Sequence, residues 1–137
     1  MAIYAVSGFY KYSGTKGKFE GEFSINELGK VVGDIVDHGS RVPQQKVEGM
    51  LRVARNIADL SFFKYPPDNE LANLLYKLVR KGIAADFSGL YTGLWYALPK
   101  AVAVRIEDDR SHAALVLARM PETMGSEYAE LELMAIH

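Results

Sequence analysis

No cysteine occurs among the 137 residues of the chain. Disulfides, thiolate catalysis and zinc centres built on sulfur are therefore excluded. A dominant charge is missing too: 16 basic and 17 acidic residues leave a formal net charge of −1. No overall field would draw the protein to nucleic acid or to anionic lipid. No apolar run approaches the roughly 20 residues that cross a bilayer. The opening Met1-Ala2-Ile3-Tyr4-Ala5-Val6 shows neither the basic lead nor the long apolar segment of a signal peptide. The expectation is a cytoplasmic protein with no membrane and no nucleic-acid partner. No serine sits in a Gly-x-Ser-x-Gly elbow. His38, His112 and His137 lack metal-ligand spacing. Neither a catalytic residue, a metal site nor a cofactor site is expected, and the chain reads more as a binder than as an enzyme.

What the chain does contain is two related five-residue words, Phe19-Glu20-Gly21-Glu22-Phe23 and Tyr91-Thr92-Gly93-Leu94-Trp95. At the two-residue period of a β-strand, both rings and the glycine between them share one face. A glycine between two rings suits a strongly coiled strand, where the missing side chain lets the sheet bend. Glycine and proline breaks recur every 10–14 residues or so, an all-β cadence. The strands expected are 3–12, 18–25, 30–37, 86–97, 101–106, 113–120 and 128–136. Turns are expected at 13–17 and 26–29.

Residues 43–82 can be read two ways. As helices, 43–60 would carry a stripe of Val47, Met50, Leu51, Ala54 and Ala58. Asp68 to Gly82 would carry Leu71, Leu74, Leu75, Leu78 and Val79 between an N-cap and a C-cap. As strands, they would be 46–54, 58–65 and 71–81, which the run Leu60-Ser61-Phe62-Phe63-Lys64-Tyr65 favours. The fold expected is thus a single all-β domain over 1–137, an antiparallel up-and-down barrel of about 8–10 strands. The alternative is α+β, with two helices in 43–82.

The order of the words Phe19-x-Gly21-x-Phe23, Gly33-Asp34-Ile35-Val36-Asp37, Val47-Glu48-Gly49, Leu60-x-Phe62-x-Lys64-Tyr65-Pro66, Tyr76-x-Leu78 and Tyr91-x-Gly93-x-Trp95 resembles small calycin-type barrels. That group takes in lipocalin-like, fatty-acid-binding-protein-like and avidin-like folds. The resemblance spans residues 3–97 and implies a barrel that encloses a small molecule, although the usual lipocalin opening motif with tryptophan is absent.

The ligand-binding residues expected are Phe19, Phe23, Tyr91 and Trp95, with Arg119 as a candidate polar anchor. A barrel of this size either packs solid or holds one small ligand, and aromatic stripes in sheets often serve only as core. Arg119 shares a face with Leu115 and Leu117, whereas Arg105 points outward; an arginine near a strand end also snorkels easily to solvent. Glu20, Glu22, Glu130 and Glu132 alternate with core positions and read as a wet outer face. Two functions follow. One is binding of a small hydrophobic or amphipathic ligand inside the barrel. The other is a ligand-free module forming a homo-oligomer through the outward apolar residues Leu90, Leu94 and Tyr96.

Overall fold

The computed structural model describes residues 2–40, 43–65, 74–82, 86–97 and 126–136. Within them run β1 (Ala2–Tyr12), β2 (Thr15–Ile25), β3 (Lys30–Asp37), β4 (Gln44–Ala54), β5 (Ile57–Tyr65), β6 (Leu74–Lys81), β7 (Gly89–Ala97) and β8 (Ser126–Ala135). Each strand pairs antiparallel with the next, and β8 returns to β1 from Tyr4↔Ala135 to Tyr10↔Ala129. The eight strands close into an up-and-down barrel. Closure removes the exposed edges that an open sheet would present. No helix among the described residues is long and apolar enough to cross a membrane.

Among the described residues of 43–82 no helix forms. β4, β5 and β6 occupy that stretch, and β6 is bonded on both sides, from Lys64↔Leu74 to β5 and from Leu74↔Ala97 to β7. A helix there would leave the backbone of both neighbours unpaired, a larger loss than helix periodicity can offset. The apparent helical stripe is split between faces: Leu78 is buried inside, while Val79 is 38% exposed outside. The turn expected at 13–17 is shorter than the sequence suggests. Ser13 and Gly14 alone form it, both with positive φ (47° and 81°), which matches the right-handed twist of the flanking strands. Ser13 N donates to both oxygens of Glu127 at 3.1 Å, tying this tip to β8. The strand expected from residue 86 begins at Gly89 instead. Asp86 Oδ1 accepts from Ser88 N at 2.8 Å and holds a turn there.

The paired words behave as coiled strands. A Cβ on Gly21 would run into the Asp34 carbonyl oxygen, and one on Gly93 into that of Lys77. Only a glycine lets the neighbouring strand cross so closely. Phe19, Phe23, Tyr91 and Trp95 all face the interior and are buried. The middle of the barrel is packed: Phe62 stacks on Tyr76 with centroids 4.8 Å apart and meets Phe23 edge-on at 5.3 Å. Leu60, Leu78, Leu131 and Leu133 fill the space around them. Outside, Glu20, Glu22 and Glu132 are solvent-exposed, as are Leu90 and Leu94. The expected strands 101–106 and 113–120, with Arg105, His112 and Arg119, lie outside the described residues.

Candidate functional site

Alternation along four strands delivers an unusual set of polar groups to one end of the interior. On β5, Ala58, Leu60 and Phe62 face inward, and the next residue in that series is Lys64, with 0% exposure. On β3, Val31 and Ile35 lead to Asp37, 2% exposed. Lys64 Nζ lies 2.6 Å from Asp37 Oδ2 and donates to the Tyr76 hydroxyl at 2.8 Å. Tyr10 donates its hydroxyl to Asp37 Oδ1 at 2.9 Å, and Gly39 N donates to the same oxygen at 2.9 Å. Three rings surround the ammonium, with Nζ 4.3 Å from the centroid of Tyr10, 4.6 Å from Phe19 and 4.9 Å from Tyr76. Such contacts offset part of the cost of taking the cation out of water.

Local sequence explains this placement. Tyr10 pairs across the β1–β2 ladder with Gly17, and its ring lies where a Cβ on Gly17 would be. The bare glycine lets the ring fold down over β2 and bring its hydroxyl to Asp37. Burial pulls the Lys64 pKa down from 10.5 to about 8, with Asp37 opposing that shift. Burial, reinforced by Asp37, pushes Tyr10 and Tyr76 above the ordinary tyrosine value. At neutral pH Lys64 thus keeps its charge, 2.6 Å from the Asp37 side chain, and both phenols keep their protons.

Above the cluster opens a recess of about 240 Å³, lined by Tyr10, Tyr12, Asp37, Lys64, Tyr76 and Trp95 among others. Trp95 Nε1 donates to the Lys11 carbonyl at 2.7 Å, and the indole sits against Tyr10 and Tyr12 at 5.9 and 6.0 Å. A larger concavity of about 590 Å³ lies on the outer wall beside Ile3, Glu22, Val32, Asp34 and Lys46. Its ion pair Lys46–Asp34 at 3.4 Å is solvent-exposed, whereas the pair beneath the interior recess is buried. The interior recess is the better-built site.

The four expected ligand residues within the described chain share one core but not one site. Trp95 lines the recess, Phe19 lies beneath it against Lys64, and Phe23 is part of the packed middle. Tyr91 sits at the opposite end, where its hydroxyl donates to the Phe87 carbonyl at 2.7 Å. The sequence reading missed Tyr10, Asp37, Lys64 and Tyr76. A usable signal was there: Lys64 and Asp37 each continue an apolar face at the two-residue period.

No protein-family model matches the chain, and no match was found among curated proteins or solved structures.

Proposed function

We propose that the protein binds one small amphipathic molecule, without transforming it, in the recess at the Lys64 end of the barrel. One observation carries this reading: an ion pair buried to within 2% of complete exclusion forms the floor of an aromatic-walled cavity. Buried ion pairs are poor stabilisers, because desolvation offsets their attraction. A charged floor is thus better explained as a means of orienting a guest than as a support for the fold. Aromatic walls with a few polar groups are the usual make-up of a small-molecule pocket. The closed antiparallel barrel is compatible with the calycin resemblance, and ligand binding inside the barrel is what that resemblance implies. Fold likeness alone is a weak warrant for function, so the site carries the argument.

Native mass spectrometry of freshly purified protein tests the reading. The expected result is a retained small-molecule mass that leaves on denaturation, or uptake of added amphiphiles accompanied by a change in Trp95 emission. Neither a retained mass nor any emission change across a panel of aromatic and acyl compounds would overturn it.

A second reading draws on the outer wall. Leu90 is 51% exposed, Leu94 39% and Met134 60%, all on adjoining strands β7 and β8. This apolar strip suits a homo-oligomer, and the same mass spectrum counts subunits.

A further inference from the structure

The bonds already made around Lys64 limit what the recess can accept. Asp37 Oδ1 receives Tyr10 and Gly39, and Oδ2 receives Lys64. Trp95 spends its only N–H on the Lys11 carbonyl, and the Thr15 hydroxyl donates to the Tyr12 carbonyl at 2.7 Å. Tyr76 differs. Its oxygen accepts from Lys64, which leaves its own hydrogen to give, and no described residue takes it. Tyr76 is 1% exposed and lines the recess. Lys64 Nζ also lies over three rings, 4.3 to 4.9 Å from their centroids. Among the groups named here, the one left to give is the Tyr76 hydrogen.

We propose that the guest is an uncharged molecule with a carbonyl acceptor on an aromatic or short acyl body, the carbonyl oxygen taking the Tyr76 hydroxyl hydrogen. This rests on the binding reading above and narrows its ligand class. Charge supports the choice. Lys64 is already matched by Asp37 at 2.6 Å, so a carboxylate guest would bring a second, uncompensated anion beside Asp37. An ammonium guest would do the same beside Lys64. Beside a buried ion pair that is already matched, either added charge is disfavoured. A pure hydrocarbon fits the walls but leaves the Tyr76 donor unanswered, a lesser loss.

Four probes of matched size separate these cases: acetophenone, ethylbenzene, benzoate and benzylammonium, titrated calorimetrically at pH 7. Acetophenone is expected to bind about tenfold more tightly than ethylbenzene, the worth of one buried hydrogen bond. Benzoate and benzylammonium should bind more weakly than either. In Tyr76→Phe, which keeps the ring that stacks on Phe62, acetophenone should fall to within about twofold of ethylbenzene while ethylbenzene itself changes little. A purely structural part for Tyr76 would weaken all probes together and leave their ratio intact, which would overturn the proposal. So would benzoate binding as tightly as acetophenone, or four equal affinities, although the recess would then still be a binding site. Binding of none would remove both readings. Should Tyr76→Phe fail to fold, the ranking of the four probes on the unaltered protein decides the matter.

Discussion

The two ends of this barrel solve the same problem in opposite ways. At one end the residues 86–88 close the interior with backbone groups. Tyr91 donates to the Phe87 carbonyl, Phe87 N donates to the Tyr4 hydroxyl at 3.3 Å, and Arg80 Nη1 donates to the carbonyls of Asp86 and Ser88 at 3.1 and 2.9 Å. Phe87 also packs against Tyr4, with ring centroids 6.2 Å apart. At the other end an ion pair and two phenols lie beneath an open recess. Tyrosines appear at both ends, but only at the first are their hydroxyls spent on main chain. The comparison teaches that a buried tyrosine marks a seal or a site according to what its hydroxyl has left to do.

The contrast is most easily broken through the ion pair. Asp37→Ala leaves the Lys64 charge buried without a partner and should lower unfolding stability by about 3–5 kcal/mol in urea titrations. Replacing both charges, as Asp37→Leu with Lys64→Met, should recover most of that loss. If the double variant is as unstable as the single one, the pair supports the fold and its functional reading weakens. Gly17→Ala comes next. Its methyl group meets the Tyr10 ring, and a cost of about 1–3 kcal/mol is expected from overpacking. Near-ultraviolet circular dichroism should report the displaced ring.

Proton linkage at the polar end has a definite sign. Lys64 titrates near 8 in the folded protein against an ordinary 10.5, because burial disfavours its charge. Between those values the unfolded chain binds more protons, so this group adds stability as pH rises from about 8 to 10.5. The same contribution is lost as pH falls back through about 8. Lys64→Met should flatten that segment of the stability profile, and an unchanged profile would contradict the burial of its charge. Tyr10 and Tyr76 act in the opposite direction at higher pH, since the folded state holds their protons longer. At the sealed end the smallest change is expected. Tyr91→Phe removes the bond to the Phe87 carbonyl and should cost about 1 kcal/mol without altering ligand affinity.

Much of the architecture was legible because it rests on period-two alternation. The 30–37 strand and the inward rings at 19, 23, 91 and 95 could all be read from local spacing. Residues 43–82 were ambiguous for a physical reason. A stretch such as Leu74-Leu75-Tyr76-Lys77-Leu78-Val79 carries apolar residues on both faces, which suits either period, and pairing with β5 and β7 decides it. The site was the least legible part. A charged residue at the end of a strand normally snorkels to water, so an apolar face that ends in Lys64 or Asp37 does not by itself announce a buried pair. Their meeting depends on β3 and β5 flanking β4 in the closed barrel, a relation that no local window contains. Tyr76 was visible as a barrel residue, but its free hydrogen follows only from knowing that Lys64 occupies its oxygen.

Amide chemical shifts of isotope-labelled protein titrated with acetophenone test the division between the two ends most directly. The account expects the perturbed amides to cluster at Gly17, Gly39, Lys64, Tyr76 and Trp95, with Phe87, Ser88 and Tyr91 unmoved. Shifts centred on the Phe87 end, or spread evenly over the outer wall, would contradict it.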